Sequence, residues 1–192
     1  MPPNIAEWGK DMDFNGRFEH KKIETNQDIL QAYEIYLSNA KYFHTVSGRE
    51  PDLQDVSGDR FTLPHLVPES RVHFELYMMG GRPVAVLDAM EGYPQADMVY
   101  IDFFMVDGKL HRKGIGRALL AQIEEQAVQS GYSRIHLGVW DQNKKAMAFW
   151  KTVGYEQVKE VETQSPYGQT WNVHVMEKKI SARGKDENET KG

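Results

Sequence analysis

Cysteine is absent from all 192 residues, which excludes disulfides, thiolate metal sites and a cysteine nucleophile together. No run of eighteen apolar residues occurs, and the amino terminus carries no charged-then-apolar leader. The chain is therefore read as cytoplasmic, with neither a membrane span nor a secretory signal. Basic residues do not dominate: 23 Lys and Arg stand against 28 Asp and Glu, a formal net charge of −5. A general nucleic-acid binder needs a basic face to neutralise phosphate, so that class is set aside. The histidines support no metal site, because no H-x-x-x-H pair exists and no cysteine can complete a ligand set. A G-x-S-x-G nucleophile elbow is missing too, and with it the case for a hydrolase triad. No internal repeat is visible.

What is present suits an ordinary folded domain, with 40% hydrophobic and 27% charged residues. The length fits a single domain over residues 1–180, followed by a polar tail, 181–192, expected to be disordered. Thr25 stands three residues before Asp28, a capping pattern, and Ile29, Tyr33, Tyr36 and Leu37 follow at helical spacing. From Gly48 to Ser70 the prolines and glycines predict a long loop with one short helix around Leu53 to Val56. Two apolar runs on either side of Gly80-Gly81 predict a β-hairpin. Met98 to Val106 is aromatic and β-branched, hence a third strand. Ile115, Leu119, Ile123 and Ala127 then mark a helix that Gly131 can end. "RIHLGVW" is the next strand, near-parallel to the third by the βαβ rule. Asn143 caps a second helix carrying Ala146, Phe149, Trp150 and Val153, and a last hairpin turns around Ser165 to Gly168.

Between the third strand and its helix lies "HRKGIGRALL", residues 111 to 120. The first turn of a helix has backbone N–H groups without intrahelical partners, so a basic glycine loop at that place suits an anion. Gly114 and Gly116 let a phosphate approach the backbone, and Arg112, Lys113 and Arg117 add positive charge. The same ten residues also fit a plain tight turn with solvated basic neighbours. A Walker loop fails, because Gly116 is followed by Arg117-Ala118 rather than by Lys and a hydroxyl residue. A dinucleotide fingerprint is weakened by Leu119 at the third glycine position, and by the antiparallel hairpin where further βαβ units belong.

The order of elements, the stretch "VDGKLHRKGIGRALL" and the later "NKKAMAFWKTVGYE" together resemble the GNAT superfamily of acyl-CoA-dependent N-acyltransferases, over roughly Lys22 to Lys178. The family loop reads Gln/Arg-x-x-Gly-x-Gly/Ala, and His111 departs from it at the first position. The resemblance implies an α/β (α+β) fold: a mixed, mostly antiparallel sheet with a central βαβ unit and helices on both faces. It implies acetyl-CoA as co-substrate. Phe104, Met105 and Val106 would pair with the pantetheine arm; His111, Arg112, Lys113, Gly114, Ile115, Gly116 and Arg117 would take the pyrophosphate; Asn143, Ala146 and Phe149 would line the far wall. It further implies acetyl transfer to a primary amine, on a small molecule or a peptide, by a monomer or homodimer.

Two positions depart from the catalytic pattern. Trp150 stands where relatives often carry a tyrosine acid, and Gly138 stands where relatives often carry a carboxylate. Asp102 is the first candidate for the base; by strand alternation it is expected on one face with Phe104 and Val106. Asp88 and Glu91 come second, with His73, Glu75 and Tyr100 behind them. A carboxylate at Asp102 would take the amine proton directly, act through water, or hold a cationic amine. Tyr42, Phe43, Asp88, Glu91 and Tyr93 are expected near the acceptor. The rival readings are a CoA-binding module without turnover, and a nicotinamide or flavin oxidoreductase.

Overall fold

A computed structural model of the protein describes residues 18–61, 67–164 and 170–181. Seven strands form one sheet: β1 (Glu19–Lys22), β2 (Val72–Met79), β3 (Arg82–Glu91), β4 (Met98–Val106), β5 (Arg134–Trp140), β6 (Glu156–Gln164) and β7 (Thr170–Lys179). Their spatial order is β1-β2-β3-β4-β5-β7-β6. Every neighbouring pair is antiparallel except β4 and β5. Gly80 and Gly81 make the β2–β3 turn at φ 56° and 75°, angles that a Cβ disfavours.

Helices cover both faces, as expected. On one lie α1 (Asn26–Ser38), α2 (Ala40–Ser47) and α3 (Leu53–Phe61); on the other lie α4 (Ile115–Gln129) and α5 (Lys144–Thr152). The start of α1 is the anticipated capping box: Thr25 Oγ1 accepts from the Asp28 N–H, and the Asp28 carboxylate accepts from the Thr25 N–H. Ile115, Leu119, Ile123 and Ala127 are all buried and anchor α4 to Leu87, Ile101, Ile135 and Leu137. Each large apolar side chain among them contributes about 1.5–3 kcal/mol relative to exposure. The α1–α3 side buries Ile35, Tyr36, Phe43 and Val56 on Phe74, Leu76, Val86 and Met105.

Three features differ from the sequence reading. The helix expected around Leu53 to Val56 continues to Phe61, and α2 is a separate helix after a break at Asn39. The strand β1 was not anticipated; its residues are all exposed and charged or His, so no alternation marks it. The turn expected over 165–168 and residues 182–192 of the tail lie outside the described residues. Among the described residues no helix is long and apolar enough to cross a membrane.

Candidate functional site

Strands β4 and β5 pair only from Met98–Arg134 to Ile101–Leu137. Beyond that point β4 stays with β3 as far as Val106–Ala85, and β5 stays with β7 as far as Trp140–Val173. The two parallel strands therefore part company in the middle of the sheet. Asp102 and Gly138 are the first residues on either side of the opening.

A bulge shapes the β4 side. Asp88 pairs with Phe103 while Ala89 pairs with Ile101, so Asp102 is the extra residue. Alternation breaks there: Val99 and Ile101 belong to the α4 side, and so do Phe104 and Val106, whereas Phe103 and Met105 belong to the α1 side. This corrects the expectation that Asp102 shares a face with Phe104 and Val106. Asp102 instead neighbours Tyr100, whose phenol is pushed up to about 12 by burial, by the Asp102 charge and by Tyr93. Although Asp102 keeps contact with solvent, the protein around it desolvates its carboxyl and raises it above the usual range.

Backbone direction follows from one hydrogen bond. The Asp107 N–H donates to the Val84 carbonyl at 2.8 Å, so by antiparallel alternation Phe104 and Val106 turn their own N–H and C=O groups away from β3, into the opening. Protein already meets the Val106 carbonyl: Asn39 Nδ2 donates to it at 3.0 Å, and His111 Nε2 lies 3.0 Å away. The His111 ring is thus folded back on β4. Met105 is buried against the α1 side.

After a 3-10 turn, Gly108–Leu110, the chain reaches Arg112 at φ 63° and Gly114 at φ 82°. Gly114 is the N-cap of α4, no side chain caps that helix, and its first turn holds no acidic residue. Arg112, Lys113 and Arg117 form no ion pair among the described residues. Uncompensated cations around uncapped N–H groups suit a pyrophosphate. A Cβ on Gly116 would meet Phe149 and Val106 Cγ2 at 3.6 Å, so loop, β4 and α5 converge there. Asn143 caps α5, its Oδ1 accepting from the Ala146 N–H at 3.1 Å.

Trp150 is buried with its ring 5.9 Å from Phe104, 5.1 Å from Phe149 and 5.0 Å from Tyr155. Core packing therefore accounts for it. The second-rank base candidates divide. Asp88 is buried opposite Phe103, near Asp102. Glu91, His73 and Glu75 lie on the α4 face: His73 Nε2 is 3.2 Å from Glu91, His73 Nδ1 is 3.5 Å from Glu75, and Tyr132 donates to Glu91 at 3.2 Å. Strand parity puts them there, since His73 and Glu75 pair with Ala89 and Leu87 of that core. Of the expected acceptor residues, Tyr42 and Phe43 cluster with Phe103 or Tyr36, and Tyr93 meets Tyr100 edge-on at 5.7 Å. Glu91 is separated from them by the sheet. Ser38 and Asn39, which brace the end of β4, escaped the sequence reading because nothing local in a helix end names its partner.

Comparison with known proteins bears on the family and the fold. The family model described as acetyltransferase (GNAT) family matches residues 29–155. A thialysine N-epsilon-acetyltransferase of Bos taurus is 31% identical over 64 residues, 33% of this chain and 38% of that protein. The matched portion thus spans well under half of that relative's length. An acetyltransferase structure from Thermus thermophilus superposes with a TM-score of 0.66 at 23% identity, covering 85% of this chain and 97% of that one. The yncA protein of Salmonella typhimurium, solved with its cofactor acetyl-CoA, gives a TM-score of 0.59 at 16% identity over 87% and 96% of the two chains. At these identities the likeness is one of fold.

Proposed function

We propose, from the premise that this chain belongs to the GNAT acetyltransferase family, that it transfers acetyl from acetyl-CoA to a primary amine, a small cationic one above all, by direct attack in a ternary complex. The observation that carries the reading is the parting of β4 from β5 after Ile101 and Leu137, directly before an uncapped helix start ringed by cations. Arg112 to Arg117 would hold the pyrophosphate through N–H groups and charge. The backbone of Phe104 and Val106 would meet the pantetheine arm, with Asn143, Ala146 and Phe149 beside it.

Acetyl-CoA supplies the activated thioester. The protein positions the amine against it, and the Val106 N–H directs toward the thioester oxygen. Asp102 accepts the amine proton; its raised pKa brings it closer to the working pH than an ordinary carboxylate. With Trp150 packed away, no acid stands at that position, and the CoA thiolate leaves as the anion, which a thiol with a pKa of about 8.5 permits.

Isothermal titration with acetyl-CoA tests the cofactor half, using Gly116→Glu to put a carboxylate at the loop. Gly116 is the better site because Gly114 has a φ that strains any side chain. Binding by the native protein that the folded variant loses is the expected result; no binding by the native protein overturns the reading. A thiol-release assay across an amine panel tests turnover. Tight acetyl-CoA binding without acceptor-dependent release would instead make the chain a CoA-binding module.

A further inference from the structure

The sheet face that carries Asp102 continues past the opening onto an aromatic floor. Gly138 and Trp140 share this face, because Leu137 and Val139 are buried on the α4 side. Val173 pairs with Trp140, and Trp171 follows two residues away on the same face. The Trp140 and Trp171 rings lie 5.0 Å apart at 36°, both half-buried. Val161, opposite Val173 on β6, extends the floor.

Gly138 joins the floor to the Asp102 end. A Cβ there would stand 2.9 Å from Val173 Cγ1 and 3.3 Å from the Tyr100 hydroxyl. Gly138 itself raises no wall there; Val173, part of the floor, and the Tyr100 hydroxyl, on the Asp102 side, close over it and form the surface between the opening and the tryptophan pair. Among the described residues, the apolar cluster under α1, α2 and α3 draws its strand residues from β2, β3 and β4 and takes none from β5, β6 or β7. The floor thus adjoins the site, and Gly138, Trp140, Val161, Trp171 and Val173 give it an apolar surface; Glu177, on the same face of β7, is already engaged by His136 and Arg134.

We propose that the acceptor is a primary amine bearing a flat apolar group, with the amine at Asp102 and the flat group on Trp140 and Trp171. The inference deepens the acetyl-transfer reading and rests on it for the fate of the amine. A flat group on the pair gains stacking and burial that a straight alkyl or polycationic amine lacks.

The test is a titration of the full chain, with CoA present, by 2-phenylethylamine, n-butylamine and putrescine, followed by NMR. Phenylethylamine is expected to bind about tenfold tighter than the other two. Trp140→Ala should erase that preference, and Trp140→Leu, which keeps apolar volume in case the alanine variant does not fold, should erase it too. Equal affinities, tighter putrescine binding, no phenylethylamine binding, or a preference unchanged in Trp140→Leu would each overturn the proposal. Thiol release from acetyl-CoA separates the two readings. Phenylethylamine bound without release leaves the aromatic floor standing and removes the enzyme, whereas turnover of butylamine as fast as phenylethylamine keeps the enzyme and removes the floor.

Discussion

A Cβ on Gly108 would stand 2.2 Å from the Ser38 carbonyl oxygen and 3.1 Å from its carbon. The Gly108 N–H donates to Ser38 Oγ at 2.8 Å, and the adjacent Asn39 donates to the Val106 carbonyl. The end of α1 is thereby fixed to the end of the strand that lines the opening. Both contacts are with backbone or short side chains, so neither can swing aside.

Gly108→Ala should therefore force the two segments apart. A loss of about 1–3 kcal/mol is expected, the scale of overpacking, with a melting temperature lower by several degrees. Acetyl-CoA affinity should fall as well, because Val106 moves with the loop. A variant that melts like the native protein would show that α1 and the loop are free to separate.

Arg112 holds φ 63°, and among the described residues no other non-glycine residue has a positive φ. For an L-residue that conformation costs roughly 1–2 kcal/mol, while glycine costs about 0.5–1 kcal/mol in unfolded-chain entropy. Arg112→Gly should leave the melting temperature unchanged or raise it by a degree or two. It should nonetheless weaken acetyl-CoA binding by about tenfold, the scale of one charge-assisted hydrogen bond. Arg112→Ala is the control: the same loss of affinity, measured by titration calorimetry, with no gain in stability.

The helix starts, glycine turns and strands that depend on neighbours in sequence were legible. Thr25 with Asp28, Gly80-Gly81 and the four-residue spacing of α4 each act within a turn or two of the chain, and each is found where the spacing put it. Of what depended on another strand, the parallel pairing of β4 with β5 followed from the βαβ connection, but register and side-chain facing did not. The side chain of Asp102 is turned by a bulge that exists only because β3 pairs across it. The strand β1 is a strand because β2 offers an edge, and its own residues carry no pattern. Likewise Gly138 reads in sequence as a missing carboxylate, whereas in space it is the point at which Val173 and Tyr100 approach.

Asp28 is buried, and burial by itself would raise its carboxyl, yet hydrogen bonds from Lys21 Nζ, from the Thr25 N–H and hydroxyl and from the Glu24 N–H hold it well below the usual range. A folded-state pKa below the unfolded one contributes stability that is complete above the unfolded value of about 4 and is lost as pH falls further. Asp28→Asn should destabilise the protein by about 2 kcal/mol near neutral pH, combining a lost cap with a lost charge-assisted bond. The deficit should shrink from about pH 5 toward about pH 2. Melting temperatures of both proteins across that range check it, and a gap that does not narrow would contradict the assignment.

Asp102 sits at the first unpaired position of β4, beside Tyr100, and its carboxyl titrates above the ordinary range because protein desolvates it. A base must be ionised to accept a proton, so kcat should rise with pH through that raised pKa and then level off. Asp102→Asn keeps size and removes the charge. It should lower kcat by about 10²–10⁴-fold and flatten the rising limb, while the acetyl-CoA dissociation constant changes by less than about twofold, because the pyrophosphate loop is untouched. The split between constants separates the roles open to this carboxylate. A fall confined to kcat marks proton transfer, and a rise confined to the acceptor KM marks a residue that only holds the cation. Activity within about twofold of the native enzyme on both constants would remove Asp102 from the chemistry, and buried Asp88, opposite Phe103, would be the carboxylate left to substitute next on that face.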